Sequence, residues 1–341
     1  MKVIDKQIVF SAGRDGYNTY RIPSIIKADS GALIAFCEGR KENRGDSGLI
    51  EILAKKSYDM GKTWSENKIA AGDNVNTFGN CCPVVDIKSG RIHAVCNFNI
   101  GGVHEEEIRR GEGSRECFHF FSDDEGDTWS VPRNITRYAK KADWSWHAIG
   151  PCHGIQTKSG RFVFGCNHAN LSNATTSENY DGYSFSIYSD DNCKTFSIST
   201  DISPDTNECS VAELSDGRLY MNMRTQQHNY RFRAYSSNGG EKWYGFEPDK
   251  SLIDPKCQGS VLSLQESGIL AFCNAASLNR SNLTLKLSYD SGETWPESVL
   301  IHEGPAAYSD LVRINDKTIG CLYEYGSIDA YEHIGIAFIQ I

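Results

Sequence analysis

The sequence lacks any apolar run that approaches the roughly 20 residues needed to cross a bilayer. Its first thirteen residues also lack the long apolar segment of a secretory signal peptide. We therefore expect no membrane insertion and a cytoplasmic protein. A secreted protein is the alternative, because removal of a signal would leave the same sequence.

Long basic stretches are also missing, and the formal net charge is −9. Binding to nucleic acid needs clustered Lys and Arg, so nucleic acid is excluded as the main partner. An acidic small substrate remains compatible with this charge, because a few arginines can cluster locally inside an acidic protein.

Cysteine is too sparse for a disulfide-built scaffold, with 12 residues among 341. The spacing is irregular, and several cysteines lie inside apolar runs that are typical of strands. Buried free thiols explain this pattern and favour a reducing compartment. The adjacent Cys81 and Cys82 have no second pair that would complete a zinc set. We therefore predict no metal and no cofactor.

An internal repeat, Ser-x-Asp-x-Gly-x-Thr-Trp, organises the rest of the chain. It is complete at residues 57–64, 122–129 and 288–295, and degenerate at 189–196 and 236–243. In this box we expect the Asp side chain to bond backbone amides two residues on. The Gly supplies the positive φ that closes the turn, and the Trp packs into a core. The boxes are therefore predicted to be structural and to lie away from any catalytic centre.

Short strands with Gly-containing turns fill the segments between boxes, for example at residues 33–37, 92–96, 162–164 and 219–221. No long amphipathic helical period and no Pro/Gly-rich linker interrupts them. Box starts lie 47 to 67 residues apart, which suggests about six units in the chain. The predicted fold is all-β, a six-bladed β-propeller that forms a single domain over residues 1–341.

A Tyr-Arg-Ile-Pro-Ser motif opens the first unit at Tyr20, with Arg21 at its second position. Together with the boxes behind it, this motif resembles the sialidase family, and the resemblance runs from Tyr17 to Ile336. It implies an exo-α-sialidase, a retaining glycoside hydrolase that removes terminal sialic acid from glycans and needs no cofactor. The resemblance gives neither linkage preference nor oligomeric state.

Sialidases hold the substrate carboxylate with three arginines, and the resemblance assigns these to Arg21, Arg224 and Arg280. Each guanidinium stays charged at any working pH and donates planar, charge-assisted hydrogen bonds to a carboxylate. In the loop after the first strands, Arg40 resembles the arginine of the family at the sugar 4-hydroxyl. Asn80 resembles a second position that faces this hydroxyl.

The family nucleophile is a tyrosine, which the motif Ala-Tyr-Ser-Asp-Leu places at Tyr308. Sialic acid carries a carboxylate on its anomeric carbon, so a carboxylate nucleophile would be repelled. A neutral phenol avoids this repulsion, but its pKa near 10 requires a neighbouring base, which the resemblance assigns to Glu208. Asp46, six residues after Arg40, matches the family acid/base residue. Tyrosine nucleophiles are a known exception to the scheme of two carboxylates.

Two further segments are interpreted, of which the first, Trp144 to Gln156, resembles a stretch of the family. Trp144 or Trp146 would line an apolar wall of the site or pack as ordinary core aromatics, and both readings are open. The acidic segment His104 to Glu107, followed by Arg109 and Arg110, is not a His-Glu-x-x-His zinc motif. We predict that this segment is a solvated charged loop.

Two rival functions remain. The first is a variant of the same chemistry: a trans-sialidase, an anhydro-forming enzyme, or one that prefers the deaminated sugar. The second is a propeller that binds glycans or proteins without catalysis. Such binding proteins keep the boxes and lose active-site groups, whereas every expected catalytic residue type is present here.

Overall fold

The computed structural model describes residues 1–170, 181–203 and 205–341, and these residues form an all-β protein. The first half of the chain contains twelve strands and two short helices. In chain order these elements are β1 Lys2–Ser11, β2 Thr19–Lys27, β3 Leu33–Arg40, β4 Ile50–Ser57, β5 Lys68–Ala71, β6 Thr77–Val85, β7 Ile92–Asn99, α1 Glu105–Arg109, β8 Glu116–Ser122, β9 Arg133–Asn134, α2 Thr136–Ala139, β10 Trp144–Ile149, β11 Ile155–Gln156 and β12 Phe162–Asn170.

The second half of the described chain contains strands alone: β13 Gly182–Ser189, β14 Ser197–Ile198, β15 Thr206–Glu213, β16 Leu219–Thr225, β17 Tyr230–Ser236, β18 Tyr244–Ile253, β19 Ser260–Leu264, β20 Ile269–Ala275, β21 Ser281–Ser288, β22 Glu297–Asn315, β23 Thr318–Tyr325 and β24 His333–Gln340. The four strand-like runs read from the sequence begin β3, β7, β12 and β16, so these predictions are confirmed.

Hydrogen bonds join the strands into four networks that mostly follow chain order and are antiparallel at every pairing but one. The orders are β2-β3-β4-β6-β7-β8-β9 with β5 on β4, β10-β12-β13-β14 with β11 on β12, β15-β16-β17-β18, and β1-β24-β23-β22-β21-β20-β19. Neighbouring strands are connected by short turns, which is the pattern of successive hairpins.

The two larger networks each consist of two groups joined at one place. β4 meets β6 through one parallel pair, Ile50 with Thr77. The 19-residue strand β22 pairs with β21 as far as Pro305 and with β23 from Ala306 onward, so one strand serves two groups. Site residues near this changeover in β22 are therefore held from both sides.

The first strand pairs with the last. β1 runs antiparallel to β24 from Lys2 opposite Gln340 to Ser11 opposite His333. Val9 and Phe10 of β1 are buried in a core cluster with residues of β2, β3 and β24. The two ends of the described chain are thus held in one sheet.

The repeat boxes form turns at strand ends, with one difference from the expected hydrogen bonding. In the first box Asp59 accepts from the amide of Thr63, four residues on at 2.9 Å, and from the Thr63 hydroxyl at 2.6 Å. The expectation of a bond two residues on was therefore wrong. Ser57 explains the difference, because its hydroxyl accepts the amide of Gly61 and donates to Asp59, which widens the turn.

The cores lie between strands of successive groups, and the box tryptophans Trp64, Trp129, Trp243 and Trp295 pack against them. All twelve cysteines are buried free thiols, as the sequence predicted. Within the described residues, no helix has the length and apolar character that a membrane span requires.

Candidate active site

One polar cavity of 630 Å³ collects all eight residues that the sequence singled out. They come from β2, β3 and its following loop, β6, β15, β16, the turn just before β21, and β22. The eight residues are Arg21, Arg40, Asp46, Asn80, Glu208, Arg224, Arg280 and Tyr308. None of the five repeat boxes contributes a lining residue in the described part of the chain. The prediction that the boxes lie away from this centre agrees with that placement.

A hydrogen-bonded pair occupies the floor of the cavity. The Tyr308 hydroxyl donates to Glu208 Oε1 at 2.6 Å, and Arg224 Nη1 donates to Glu208 Oε2 at 2.6 Å and to the Tyr308 oxygen at 3.2 Å. Desolvation by burial, followed by the negative charge of Glu208, raises the pKa of Tyr308 well above its usual value. The nearby arginines oppose this shift. The resting site therefore holds a neutral phenol against a carboxylate acceptor.

The other two predicted arginines flank the Tyr308 ring. The guanidinium carbon of Arg21 lies 5.3 Å from the ring centroid and that of Arg280 lies 5.4 Å from it. Tyr331 connects the two arginines, because its ring lies 4.0 Å from the Arg21 guanidinium and its hydroxyl accepts from Arg280 Nη1 at 2.7 Å. Three guanidiniums thus converge around one phenol.

Glu324 fixes this arrangement and was missed by the sequence analysis. Its fully buried carboxylate accepts from Arg21 Nε at 2.7 Å and from the backbone amides of Ile22 and Tyr308 at 2.8 and 3.1 Å. Ile22 has φ 59°, a conformation that a β-branched residue adopts at a cost in strain. The Glu324 bond to the Ile22 amide offsets that strain and orients Arg21.

The loop after β3 places Asp46 at the opening of the cavity. Arg40, itself buried, donates to Asp46 Oδ1 at 2.7 Å and to Glu38 Oε2 at 2.6 Å. It therefore holds the exposed carboxylate of Asp46 beside the buried carboxylate of Glu38. Partial desolvation would raise the pKa of Asp46, but the positive charges of Arg40 and Arg21 outweigh it and lower that pKa below its ordinary range. Asp46 is therefore ionised in the free protein at neutral pH.

Asn80 lines the cavity but is tied to the backbone. Its side-chain amide donates to the Ile149 carbonyl at 2.9 Å, and its own amide, at φ 55°, donates to Glu38. The two tryptophans separate: Trp144 is buried and stacks on His168 with ring centroids 3.7 Å apart, whereas Trp146 lines the cavity. Trp144 is thus a core aromatic and Trp146 a wall of the site.

The prediction of a solvated charged loop at residues 104–107 was right about solvent exposure, since His104, Glu105 and Glu106 are exposed, but wrong about the loop. These residues form the cap and first turn of α1, and His104, Glu105 and Glu106 line the cavity. Ser47, next to Asp46, bonds the His104 ring at 3.0 Å and ties α1 to the Asp46 loop. The charge pattern concealed this placement, because one buried residue, Ile108, is enough to dock so short a helix.

Three residues that line the same cavity carry buried polar atoms with no hydrogen-bond partner among the described residues. These atoms are Nε of Arg115, Nε of Arg224 and both amide atoms of Asn167, which is 1% exposed. Arg115 also lies over the Trp146 ring, 4.3 Å from its centroid. Buried polar groups are nearly always hydrogen-bonded in proteins, so these unpartnered atoms set this wall of the cavity apart from the core around it. No sequence motif marked Arg115 or Asn167.

Comparison with known proteins finds a family and several relatives. Residues 24–322 match the family described as BNR repeat-like domain. The exo-alpha-sialidase of Aspergillus fumigatus is 28% identical, with 91% of this chain and 79% of that protein covered. The sialidase of Micromonospora viridifaciens is 30% identical over 96% of this chain and 53% of its own length. The solved Hadza microbial sialidase Hz136 is 28% identical with a TM-score of 0.88, over 98% of this chain and 68% of that one.

The chain belongs to the BNR repeat-like domain family and, within it, to the sialidases. The length covered differs among the relatives: the chain spans about half of the Micromonospora protein and more than three quarters of the Aspergillus one.

Proposed function

We propose that the chain is a retaining exo-α-sialidase that hydrolyses terminal sialic acid from sialylated glycans. The observation that carries this proposal is the Tyr308–Glu208 pair, bonded at 2.6 Å and surrounded by Arg21, Arg224 and Arg280. A tyrosine needs a base to act as a nucleophile and needs cations when its substrate is an anion. The cavity supplies both at one point.

Substrate binding follows from the arginines. A carboxylate on the anomeric carbon would accept hydrogen bonds from the three guanidiniums, which places that carbon above the Tyr308 hydroxyl. Asn167 and Arg115 would bond the sugar hydroxyls or the substituent on the ring. The binding energy is thus directed at the group that distinguishes sialic acid from neutral sugars.

In the first step, the Tyr308 oxygen attacks the anomeric carbon and its proton passes to Glu208. The bond from that carbon to the glycan oxygen breaks, and Asp46 gives its proton to the departing oxygen. Asp46 is ionised in the free protein, so it must take up a proton before this step. A bound substrate carboxylate neutralises part of the arginine charge, which raises the pKa of Asp46 toward that state.

In the second step, water attacks the same carbon and displaces Tyr308. Asp46, now a base, accepts the proton of the water, and Glu208 returns its proton to the phenolate oxygen. Two displacements at one carbon restore the starting configuration, so the released sugar has the retained anomeric form. Every atom of this cycle comes from substrate, water and the three residues Tyr308, Glu208 and Asp46.

We also propose that residues 1–341 form one six-bladed β-propeller. The strand pairing supports six groups of four main strands. The first strands of these groups are β2, β6, β10, β15, β19 and β22, and the last group has β1 as its outer strand. Neighbouring groups contact one another in sequence, and β2 contacts β22, as closure of a ring requires. Arg21, Asn80, Trp146, Glu208 and Tyr308 lie on first strands of these groups, so the site would occupy the centre.

The proposal is tested by release of a fluorophore from 4-methylumbelliferyl N-acetylneuraminic acid. We expect turnover by the unchanged protein and losses of at least about a hundredfold in kcat for Tyr308→Phe and Asp46→Asn. Tyr323→Phe is the matched control, because Tyr323 is buried in β23 outside the cavity. It should retain near-normal turnover.

Product analysis separates the rival outcomes of the same site. Free sialic acid with retained configuration supports hydrolysis, whereas a new glycoside or an anhydro sugar would identify a transferase or an anhydro-forming enzyme. The deaminated sugar is tested beside the N-acetyl sugar, since Arg115 and Asn167 make the cavity polar. If neither substrate is turned over, or if the sugar is released with inverted configuration, the proposed function is overturned.

A further inference from the structure

Two histidines and a cysteine cluster outside the catalytic cavity. His93 on β7, His119 on β8 and Cys193 in the turn after β13 each offer a ligand atom, and these atoms all lie within 4.8 Å of one another. His93 Nδ1 and His119 Nε2 are hydrogen-bonded at 3.0 Å. The three residues line a separate cavity of 620 Å³ that shares no lining residue with the catalytic one.

Cys193 stands where the other repeat boxes carry glycine. Its φ is 58°, a left-handed conformation that is strained for a residue with a β-carbon. The four other boxes have glycine there with similar angles: Gly61 at 79°, Gly126 at 84°, Gly240 at 87° and Gly292 at 90°. The turn itself does not use the thiol group. We therefore ask what the thiol does outside the turn, since its residue is strained at this position.

The two histidines can serve as metal ligands, because a neutral imidazole carries one lone pair. His119 is 5% exposed and stacks on His93 with ring centroids 5.2 Å apart. His93 is 1% exposed, and its Nε2 has no hydrogen-bond partner among the described residues. Two aromatic rings, Phe162 and Phe196, pack nearby and limit how far the imidazoles can turn.

We propose that His93, His119 and Cys193 form a binding site for a zinc-class divalent ion, with two nitrogens, one sulfur and a water as ligands. Imidazole and thiolate are the preferred ligands of this class. Tetrahedral bonds to zinc place neighbouring ligand atoms about 3.3–3.6 Å apart. The 3.0 Å between the two nitrogens therefore needs only a small opening.

The binding reaction releases one proton. The thiol of Cys193 loses its proton to solvent as the sulfur bonds the ion. In the neutral histidine pair, the proton shared between the two rings moves to another ring nitrogen, which frees both lone pairs. Arg91 and Arg133 lie close by. Arg91 is paired with Asp123 at 2.6 Å, and Arg133 donates to the Cys193 and Lys194 carbonyls, so both cations already have oxygen partners.

The site would connect two groups of strands that belong to different sheets. His93 and His119 belong to the network of β2 to β9, whereas Cys193 belongs to the network of β10 to β14. An ion held by both networks binds the folded state and not the unfolded one, so it stabilises the fold by mass action. The role is therefore structural, and the proposal is independent of the chemistry in the catalytic cavity.

The test is titration of the chelator-treated full chain with Co²⁺ and with Zn²⁺. We expect one equivalent of Co²⁺ to produce a thiolate-to-cobalt charge-transfer band that Zn²⁺ abolishes by displacement. Saturating Zn²⁺ should raise the Tm by about 5 °C. Cys193→Gly should lose both the charge-transfer band and the Tm shift. His93→Gln should show a much weaker band and a much smaller Tm shift than the unchanged chain.

Cys193→Gly is suited to this test because glycine matches the other boxes, so the variant should fold and keep sialidase turnover within about twofold of the unchanged chain. Cys96→Ala is the control for thiols in general, since Cys96 is buried on β7 outside the cluster, and it should retain the cobalt band. A full chain that binds neither ion, or a Cys193→Gly protein that keeps the band, would overturn the proposal.

Discussion

At the scale of single residues, the site depends on how charge is arranged around Tyr308. Burial and the Glu208 carboxylate raise the pKa of the phenol, so the resting nucleophile is neutral. Arg224 contacts both members of the pair and is placed to stabilise the phenolate as the proton moves to Glu208. The negative charge thus develops only during the reaction, in a cavity already lined with fixed cations.

Arg40 sets the pH range in which Asp46 can act as an acid. The guanidinium lies 2.7 Å from Asp46 Oδ1 and helps to hold the pKa of that carboxyl below its ordinary range. A general acid must be protonated, so activity falls as pH rises through its pKa, and a lowered pKa moves that fall to lower pH. We expect Arg40→Gln to raise the pKa of Asp46 and shift the alkaline limb of kcat/KM to higher pH.

The measurement is the pH profile of kcat/KM for Arg40→Gln beside Lys41→Gln. Lys41 carries the same charge one residue away but contacts Glu51 and the Tyr17 ring instead of Asp46. The control should leave the alkaline limb in place. An alkaline limb that stays fixed, or moves to lower pH, in Arg40→Gln would contradict the assignment of Asp46 as the acid.

At the scale of elements, the repeat boxes are rigid turns that set the ends of the strands. In the second box Asp124 accepts from the Thr128 amide at 2.8 Å, the Thr128 hydroxyl at 2.6 Å and the Ser122 hydroxyl at 2.7 Å. Desolvation by burial opposes the effect, but together these bonds outweigh it and lower the pKa of Asp124 to about 2. The degenerate box at residues 236–243 has Asn238 in place of the aspartate, and the Asn238 side chain still accepts a hydrogen bond from the Lys242 amide.

Asp124→Asn tests the charge in the box while preserving its shape. The lowered pKa of Asp124 in the folded protein makes its contribution to stability fully present above about pH 4 and lost as pH falls toward 2. We expect the variant to lose about 1 kcal/mol of unfolding free energy at pH 7 and to fall less steeply between pH 4 and pH 2 than the unchanged chain.

Denaturant unfolding at a series of pH values measures this difference. The control is Asp143→Asn, a change of the same charge at an exposed position outside the boxes. Equal acid sensitivity in Asp124→Asn and in the unchanged chain would show that the box carboxylate does not supply the stabilisation.

At the scale of the whole molecule, β1 completes the last group of strands. Phe10 is 2% exposed, and its ring lies 5.2 Å from that of Tyr20 on β2, so β1 packs against the strand that carries Arg21. Deletion of residues 1–11 would leave β24 with an unpaired edge and open this core. We expect the shortened chain to have a Tm lower by at least about 5 °C, measured by calorimetry.

Phe10→Ala within the full chain separates the two causes of that loss. It removes the ring but keeps the β1–β24 hydrogen bonds, so it should lower the Tm by less than the deletion does. If the deletion left the Tm unchanged, β1 would contribute nothing to closure of the fold.

The sequence was informative wherever function or turn chemistry depends on a short motif. The boxes and the strand starts could be predicted because each lies in a local pattern of residue types. The eight candidate site residues were found through family motifs of the same short length, and the structure places all of them around one cavity. Glu324 could not be predicted, since it acts through Arg21 and Ile22, about 300 residues away in the chain, and through the backbone amide of Tyr308 on the neighbouring strand. The short helix α1 and the orphan groups of Asn167 and Arg115 likewise depend on packing between distant strands.

The central claim is that Tyr308 forms the bond to the sugar, and trapping that bond tests it most directly. A 2,3-difluorinated sialic acid reacts with a retaining sialidase, and its 3-fluorine slows hydrolysis of the adduct. Mass spectrometry of the digested protein should then find the added sugar on the peptide that contains Tyr308, and Tyr308→Phe should remain unmodified there. An adduct on a different residue, or active protein that is never labelled, would contradict the account.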